Sequence, residues 1–486
     1  MKMTEKQAYT LARAHAHSVG AYVQGGDKAA FHLCAPMGWI NDPNGFSAYQ
    51  GKVHLFFQHY PYASQWGPMH WGHAVTEDFV RWRLLPVALA PDKPYESGCF
   101  SGSALQAGDR HVLVYTSYLE TADRGGLQAQ SIALGDGIAY TKHPGNPVVS
   151  AAHLPPGAST SDFRDPKAWQ EKDGTYRMAV ANRAEDGSGQ ILLYESADLA
   201  SWRYAGVIDQ SRNQLGRMWE CPDFFPLDGH QLLLISPQEM QQDPAGEFHG
   251  GSGTACLAGD WDRERRVFTR RSVSTIDYGW DFYAPQTCLL PDGRRMMVAW
   301  MQSWDNNLTP AGQAWSGMMT FPRELRFAGG RLRQLPAREI ARYYTNCQAA
   351  SGVMQPDGQH MASGRQLDIS LTVHRAAEAV FSLDVAASET YCTRVTYSAP
   401  EGKLVLDRSR AGMPGDRYPL ITMPLYHKPD EVRLRVLLDR WSLELFLNDG
   451  EQALTSLVYT PQEAQAVRLS APAPLRYSFE SREIRV

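Results

Sequence analysis

The heptapeptide Thr76–Trp82 (TEDFVRW) recurs as Ser196–Trp202 (SADLASW), and both copies fit the pattern Ser/Thr-x-Asp-Phe/Leu-x-x-Trp. Each copy follows a strand-like run, which indicates that the repeating unit is a sheet that contains the heptapeptide. Repeated sheets are typical of radial blades, and a four-stranded blade with its connections takes about 45–60 residues. The step from residue 76 to residue 196 therefore predicts two blades, and residues 31–338 would hold about five.

The remainder of 31–338 consists of short strand-like runs separated by clusters of Gly, Asp, Asn and Pro, and helical periodicity is almost absent. The clearest runs are Val53–Gln58, His111–Thr116, Tyr176–Ala181, Ile191–Glu195, Gln231–Ser236 and Arg295–Gln302. This pattern predicts an all-β protein whose first domain, residues 31–338, is a five-bladed β-propeller.

The composition changes near 339–352, which we interpret as a linker, and alternating runs then continue towards the C-terminus. These runs are Leu367–Val373, Ala379–Val385, Thr393–Ser398, Glu431–Leu438 and Ser442–Leu447, and Asn448–Gly450 predicts a hairpin turn. Residues 353–486 are therefore predicted to form a β-sandwich. At the N-terminus, Thr4 and Gln7 have capping-box spacing, which predicts a short helix over residues 4–18. We therefore interpret residues 1–30 as an N-terminal helical extension.

The composition of the chain excludes several classes of protein. It has 486 residues and a net charge of −5, which gives no reason to expect nucleic acid or an anionic membrane as a partner. No run approaches the length of about 18 apolar residues that a membrane span needs. The seven cysteines include no C-x-x-C pair, and the N-terminus lacks a secretory signal pattern, so we expect reduced thiols and a cytoplasmic protein. The sequence contains no metal-binding motif, and it does not indicate the oligomeric state.

Three acidic residues lie in segments that contain proline: Asp42 in GWINDPNGF (38–46), Asp165 in FRDPK (163–167) and Glu220 in WECPD (219–223). A residue before proline is driven towards the β region, so Asp42 and Asp165 are expected to have restricted, extended backbones. Each acid precedes a strand-like run, and the innermost strands of a propeller converge on its axis. We therefore expect three acids from three blades to meet there.

Cleavage of a glycoside requires two carboxyl groups in different protonation states. Arg164 favours a charged Asp165 if the two side chains point the same way. Trp219 and Cys221 would give Glu220 a weakly polar environment that keeps it protonated as the acid, which leaves Asp42 as the nucleophile. The aromatic content of 11 %, with 13 Trp, suits a protein that stacks rings against sugars.

The chain closely resembles glycoside hydrolase family 32, the family of invertases, sucrose-6-phosphate hydrolases and levanases. The resemblance rests on residues 32–45 (HLCAPMGWINDPNG), 57–58 (FQ), 66–73 (WGPMHWGH), 98–103 (GCFSGS), 163–167, 219–223 and 281–286 (DFYAPQ). It implies a five-bladed propeller followed by a β-sandwich, and retaining hydrolysis of β-fructofuranosides without a metal or cofactor. It also implies that Asp42 is the nucleophile, that Asp165 stabilises the transition state, and that Glu220 is the acid/base.

The same resemblance implies a fructose pocket around the three acids. Its members would be Asn41, Gln58, Trp66, Phe100, Ser101 and Arg164, with Asp281, Tyr283 and Trp300 as contacts from later blades. No motif defines the leaving-group side. Lys93, Arg124 and His143 lie in loops that could reach the phosphate of sucrose 6-phosphate, and Trp304 is a candidate stacking surface.

We therefore expect an enzyme that acts on a small sugar, either sucrose or sucrose 6-phosphate. An exo-acting hydrolase of short fructo-oligosaccharides is an alternative enzyme hypothesis. A sugar-binding propeller without catalysis is a third hypothesis, and the presence of all three acids argues against it.

Overall fold

The computed structural model describes residues 28–122, 125–309 and 313–486, together with Ala12. The predicted helical extension over residues 1–30 therefore lies mostly outside the described residues. Within them, no helix has the length and apolar character needed to cross a membrane. Most of the described chain forms β-strands, and short 3₁₀ helices occur at Ala151–His153, Arg338–Tyr343 and Ala376–Glu378.

The N-terminal part of the described chain forms five antiparallel sheets, each built mainly from four strands that follow one another along the chain. The strands are β1 (Gly38–Tyr49), β2 (Lys52–Tyr60), β3 (His70–Thr76), β4 (Arg83–Leu89), β5 (Gly98–Ala107), β6 (Arg110–Leu119), β7 (Leu127–Gly135), β8 (Tyr140–Lys142), β9 (Phe163–Gln170), β10 (Tyr176–Arg183), β11 (Gly189–Ser196), β12 (Trp202–Gln210), β13 (Met218–Leu227), β14 (His230–Gln238), β15 (Ala255–Asp262), β16 (Val267–Thr275), β17 (Tyr283–Leu289), β18 (Arg295–Trp300), β19 (Trp315–Ser316), β20 (Arg323–Ala328) and β21 (Arg331–Pro336). The first four sheets are β1–β4, β5–β8, β9–β12 and β13–β16, and the fifth contains β17, β18, β20 and β21.

The first strands of the five sheets form a closed ring. β1 contacts β5, β5 contacts β9, β9 contacts β13, β13 contacts β17, and β17 contacts β1. The short strand β19 pairs in parallel with the start of β1, where Gly38 lies opposite Trp315 and Trp39 opposite Ser316. Strand direction alternates within each sheet, so the connections after the second and fourth strands lie where the first strands begin. We call these connections the rim; they include residues 184–188, 211–217 and 239–254.

The repeated heptapeptide forms the same turn in the first and third sheets. In the first copy, Thr76 Oγ1 accepts a hydrogen bond from the amide of Phe79, and Asp78 Oδ1 accepts from Val80 and Arg81. The second copy repeats this arrangement with Ser196 Oγ and Asp198 Oδ1 as the acceptors. Both turns connect the third strand of a sheet to the fourth, so the prediction that the repeat spans two sheets is confirmed.

The C-terminal part forms two six-stranded sheets that enclose a continuous apolar core. Their strands are β22 (Tyr344–Val353), β23 (Gln359–Ser363), β24 (Leu367–His374), β25 (Val380–Ala387), β26 (Thr393–Ser398), β27 (Lys403–Asp407), β28 (Leu420–Pro424), β29 (Glu431–Asp439), β30 (Ser442–Leu447), β31 (Gln452–Leu457), β32 (Ala466–Ser470) and β33 (Arg476–Ile484). The predicted hairpin turn at Asn448–Gly450 connects β30 to β31, and all three residues have positive φ. The prediction of a linker over residues 339–352 is corrected by the structure. Residues from 344 onward form β22, an edge strand paired with β33.

A buried network of charges joins the two parts of the chain. Arg323 Nε donates a 2.9 Å hydrogen bond to Glu444 on β30, and its Nη1 lies 2.8 Å from Asp277. His32 contacts Asp439 through Nδ1 at 2.7 Å and Glu444 through Nε2 at 2.8 Å. Burial opposes protonation of His32, but these two carboxylates outweigh it and raise its pKa to about 9. The β-sandwich is therefore bonded to residues at both ends of the five-sheet part.

Candidate active site

All five first strands change their pairing register close to where they begin. The irregular intervals are Ile40–Pro43, Phe100–Gly102, Arg164–Lys167, Glu220–Asp223 and Tyr283–Gln286. A β-bulge leaves residues unpaired and redirects their side chains. Asp42, Ser101, Asp165 and Cys221 lie inside four of these intervals, and Glu220 borders its own. The bulges therefore turn these side chains towards the centre of the ring.

The backbone at Asp165 departs from the prediction made for a residue before proline. We expected an extended conformation, but Asp165 has φ +61°. Cys221 and Ala284, which also precede prolines, have φ +49° and +53°. Left-handed φ is strained for residues with a Cβ, and such strain is concentrated at functional sites. Asp42 does not have a positive φ, so the Asp42-Pro43 and Asp165-Pro166 segments differ in backbone conformation.

Asp42 is buried and lies between two donors. Ser101 Oγ donates a 2.6 Å hydrogen bond to Asp42 Oδ2, and Asn41 Nδ2 donates a 3.1 Å bond to Oδ1. Burial and the nearby charge of Glu220 raise the pKa of Asp42, whereas these two hydrogen bonds lower it. The carboxylate is thus held in one orientation by neutral donors.

The thiol of Cys221 lies between two of the acids. Its Sγ is 3.6 Å from Asp42 Oδ2 and 3.6 Å from Asp165 Oδ2, and its backbone amide donates a 3.0 Å bond to the same oxygen of Asp165. Burial and then the charge of Glu220 raise the pKa of Asp165 to about 7, and Arg164 opposes this only in part. Arg164 thus favours the charged form of Asp165, as expected, but burial and the charge of Glu220 outweigh its effect on the pKa.

Glu220 is surrounded by donors rather than by weakly polar groups. Arg164 Nε lies 2.9 Å from Oε1, while Gln238 Nε2 and the Tyr283 hydroxyl donate to Oε2 at 2.8 and 2.7 Å. Trp219 points away from the site, into the core between the third and fourth sheets, where its Nε1 bonds Leu215. The predicted weakly polar environment of Glu220 is therefore wrong.

The other predicted sugar-binding residues border this group in different ways. Asn41 also accepts a 2.8 Å bond from Trp39 Nε1, and Gln58 Nε2 donates a 3.0 Å bond to the carbonyl of Cys99. The rings of Phe100 and Tyr118 are stacked, with 4.5 Å between their centroids. Phe100 also makes an edge contact with Trp66, which is half exposed on the rim. Trp300 is buried and packs against Trp39 and Trp304. Tyr283, Trp39 and Trp300 belong to one apolar cluster under the acids.

Asp281 is the predicted pocket residue that the structure places elsewhere. It is fully buried, and its Oδ2 accepts bonds from Arg408 at 2.5 Å and from the amide of Leu457 at 2.8 Å, both in the β-sandwich. Its Oδ1 accepts a 2.7 Å bond from Asn306. Oδ2 therefore joins the two parts of the chain, and Oδ1 bonds within the five-sheet part. Both oxygens already have partners in the protein, which corrects the prediction of a sugar contact.

Two residues of the site were not identified in the sequence analysis. Gln238 reaches Glu220 because Met218 and Gln238 pair across β13 and β14, and a single sequence does not reveal that register. Asp162 accepts a 2.8 Å bond from Arg164 Nη1. Its position two residues before Arg164 in the sequence could have indicated the contact.

Two family models match most of the chain. Residues 32–336 match the model of the glycosyl hydrolases family 32 N-terminal domain, and residues 333–482 match that of the family 32 C-terminal region. A raffinose invertase of Escherichia coli is 37 % identical over 450 residues, which cover 91 % of each chain. A sucrose-6-phosphate hydrolase of the same organism is 33 % identical over 454 residues, again 91 % of each.

A solved structure extends the similarity to three dimensions. The Bombyx mori GH32 β-fructofuranosidase superposes with a TM-score of 0.88, 32 % identity and 99 % coverage of both chains. A mutant of that enzyme, solved in complex with sucrose, gives a TM-score of 0.87 over 98 % of both chains. Together the matched models span nearly the whole described chain, and the chain therefore belongs to glycosyl hydrolase family 32.

Proposed function

We propose that this protein is a retaining β-fructofuranosidase that hydrolyses sucrose through a covalent fructosyl-enzyme. The observation that supports this most directly is the convergence of Asp42, Asp165 and Glu220. The first two share the thiol of Cys221, and Asp165 lies one residue from the arginine that holds Glu220. The sucrose complex of the Bombyx mori mutant and the Escherichia coli relatives support a substrate of the sucrose type.

The contacts suggest a role for each acid. Asp42 attacks the anomeric carbon of the fructosyl unit, and Ser101 and Asn41 orient its two oxygens for that attack. Glu220 transfers a proton to the glycosidic oxygen as the bond to the leaving glucose breaks. Water then cleaves the fructosyl ester, and Glu220 accepts the proton that the water loses. Asp165 contacts the hydroxyls of the fructosyl unit.

We also propose the finer architecture that this function requires. The five sheets would be the blades of a five-bladed propeller spanning residues 31–338, and the carboxylates of Asp42 and Glu220 would lie about 5–5.5 Å apart, as in retaining enzymes. The ring of first strands, closed by β19 on β1, supports this arrangement. All seven cysteines are free thiols, which supports a cytoplasmic location.

An exo-acting hydrolase of short fructo-oligosaccharides remains the second candidate. The levanase of Bacillus subtilis is 34 % identical over 478 residues, and the half-exposed Trp66 on the rim offers an aromatic surface for a longer substrate. Comparison of kcat/KM for sucrose, 1-kestose and inulin separates the two candidates, because a fructan hydrolase would favour the longer substrates.

The proposed roles are tested with Asp42→Asn, Asp165→Asn and Glu220→Gln. Each variant should keep the circular dichroism spectrum of the wild type and lose at least about 10³-fold in kcat on sucrose, because each replacement removes a reacting or stabilising carboxylate. Nuclear magnetic resonance of the first product should show fructose with retained β configuration. Wild-type protein that releases no fructose, or releases the inverted anomer, would contradict the proposal.

A further inference from the structure

A series of alternating charges leads from Glu220 to the rim. Arg164 Nη2 lies 2.9 Å from Glu220 Oε1, and Arg164 Nη1 lies 2.8 Å from Asp162 Oδ1. Asp162 Oδ2 is in turn 3.0 Å from Arg183 Nε at the end of β10. The side chain of Arg183 is 30 % exposed, against 12 % for Arg164, so the series leads from the buried acid to solvent.

The series continues through Glu239 on the rim. Glu239 lies 4.0 Å from Arg183 Nη2 through Oε1 and 3.9 Å from Arg217 Nε through Oε2. Glu239 directly follows Gln238, whose side-chain amide donates to Glu220. The backbone of Glu239 has φ +55°. The amide of Arg217 bonds the carbonyl of Gln238 at 2.9 Å. Glu239 and Arg217 are therefore tied by backbone and side-chain contacts to the segment that holds Glu220.

Three of these residues, Arg183, Arg217 and Glu239, line a cavity of about 930 Å³ between the rim connections of the third and fourth sheets. Its arginines are Arg183, Arg217 and Arg270, and its carboxylates are Glu239 together with Asp186, Asp243 and Glu247. Side-chain amides, including those of Gln214 and Gln242, complete the polar lining. Side-chain amides and partly exposed ion pairs can form hydrogen bonds with the hydroxyls of an uncharged sugar.

Each of these arginines already faces a carboxylate. Arg183 faces Asp162 and Glu239, Arg217 faces Glu239, and Arg270 Nε lies 3.3 Å from Asp209. Among the described lining residues, the carboxylates outnumber the cations. A phosphate dianion placed here would have to displace an existing carboxylate partner, and Glu239 would repel it.

We infer that this cavity receives the leaving group and selects an uncharged sugar over a phosphorylated one, with Glu239 as the specificity-determining residue. The inference rests on the proposed function, in which Glu220 protonates the oxygen of the leaving group. Gln238 bonds Glu220, and the next residue, Glu239, lines the cavity. The substrate class is then sucrose, or a neutral oligosaccharide extended at the glucose C6 hydroxyl, rather than sucrose 6-phosphate.

The experiment compares kcat/KM on sucrose, sucrose 6-phosphate and raffinose. Phosphate and the galactosyl unit of raffinose are attached to the same glucose C6 hydroxyl, so raffinose reports on size at that position and sucrose 6-phosphate on charge. The wild type should prefer sucrose over sucrose 6-phosphate by at least about tenfold, and raffinose should stay within about tenfold of sucrose.

The charge of Glu239 is then removed with Glu239→Gln, which keeps the shape of the side chain. The ratio of kcat/KM for sucrose 6-phosphate to that for sucrose should rise at least about fivefold, because a repulsive charge is lost and two arginines lose a partner. The matched control is Glu264→Gln, at the turn between β15 and β16 on the opposite end of the same sheet, and it should leave the ratio unchanged.

The outcomes separate this inference from the proposed function. The inference would be overturned if the wild type hydrolysed sucrose but preferred sucrose 6-phosphate. It would also be overturned if Glu239→Gln did not change the ratio of kcat/KM for sucrose 6-phosphate to that for sucrose. Either result would leave the proposed function intact. Rejection of raffinose as strongly as sucrose 6-phosphate would show selection by size and would also overturn it. No fructose release from any of the three substrates would contradict both.

Discussion

Ser101 Oγ donates a 2.6 Å hydrogen bond to Asp42 Oδ2 across the boundary between the first and second sheets. A hydrogen bond to a charged group contributes about 1.5–3 kcal/mol. Ser101→Ala should therefore lower kcat/KM on sucrose by about 10–100-fold. Because this bond lowers the pKa of Asp42, its loss should move the acid limb of the kcat/KM profile to higher pH. The control Ser382→Ala, in the β-sandwich, should change neither, and an unshifted acid limb in Ser101→Ala would contradict the assignment.

Asp165 should lower the stability of the folded protein at neutral pH. The pKa of Asp165 is about 7 in the folded protein, above the ordinary value of 3.8 for an aspartate. Between these two values the folded state binds more protons than the unfolded state, so stability falls as pH rises through this window. Asp165→Asn should be inactive yet more stable at pH 7, by on the order of 2 kcal/mol. The gain should shrink towards pH 4. Urea unfolding at pH 7 and pH 4 measures this gain in stability. A variant that is less stable than the wild type at pH 7 would contradict the prediction.

The sequence predicted those parts of the fold whose determinants are local. The heptapeptide Thr76–Trp82 contains every side chain that caps its turn, and Asn448–Gly450 contains the residues that its hairpin requires. The edge strand β22 was missed because its residues are half-buried or exposed, so no alternation of apolar and polar residues marks it. Its partner β33 is distant in the sequence.

The candidate site was predictable in its residues and less so in their contacts. The motifs around Asp42, Asp165 and Glu220 indicated which residues converge, because the family resemblance carries that information. The direction of Arg164 was not predictable, since it borders a bulge where the alternation of side chains is interrupted. The burial of Asp281 depends on Arg408 and Leu457, which are supplied by the other part of the chain.

Asp281→Asn distinguishes an anchor between the two parts from a sugar contact. The replacement leaves the buried Arg408 without one of its two carboxylate partners, Asp416 being the other, and breaking a buried ion pair costs about 3–5 kcal/mol. The melting temperature should fall clearly, whereas KM for sucrose, measured well below that temperature, should stay within about twofold. A large rise in KM with an unchanged melting temperature would instead support the sugar contact predicted from the sequence.

His32 should make the junction between the two parts of the chain sensitive to alkali. The pKa of His32 is about 9 in the folded protein, above the ordinary value of 6.5 for a histidine. The contribution of His32 to stability is therefore fully present below pH 6.5 and is lost as pH rises through 9. The shift corresponds to on the order of 3 kcal/mol. The difference in unfolding free energy between the wild type and His32→Gln should be largest near pH 6 and smaller at pH 10. His360→Gln, at an exposed site in the β-sandwich, should show no such dependence, and a constant difference for His32→Gln would argue against the assignment.

The parallel pairing of β19 with β1 has a consequence for the order in which the enzyme becomes active during synthesis. Asp42 leaves the ribosome before Asp165 and Glu220, yet the edge of its strand is completed only by Trp315 and Ser316. The segment around His32, which precedes β1, is completed even later in synthesis, because the partners of His32 are Asp439 and Glu444. A nascent chain that ends before Trp315 therefore carries all three acids and still lacks the strand that completes the sheet around Asp42. Catalysis should begin only when translation is nearly complete.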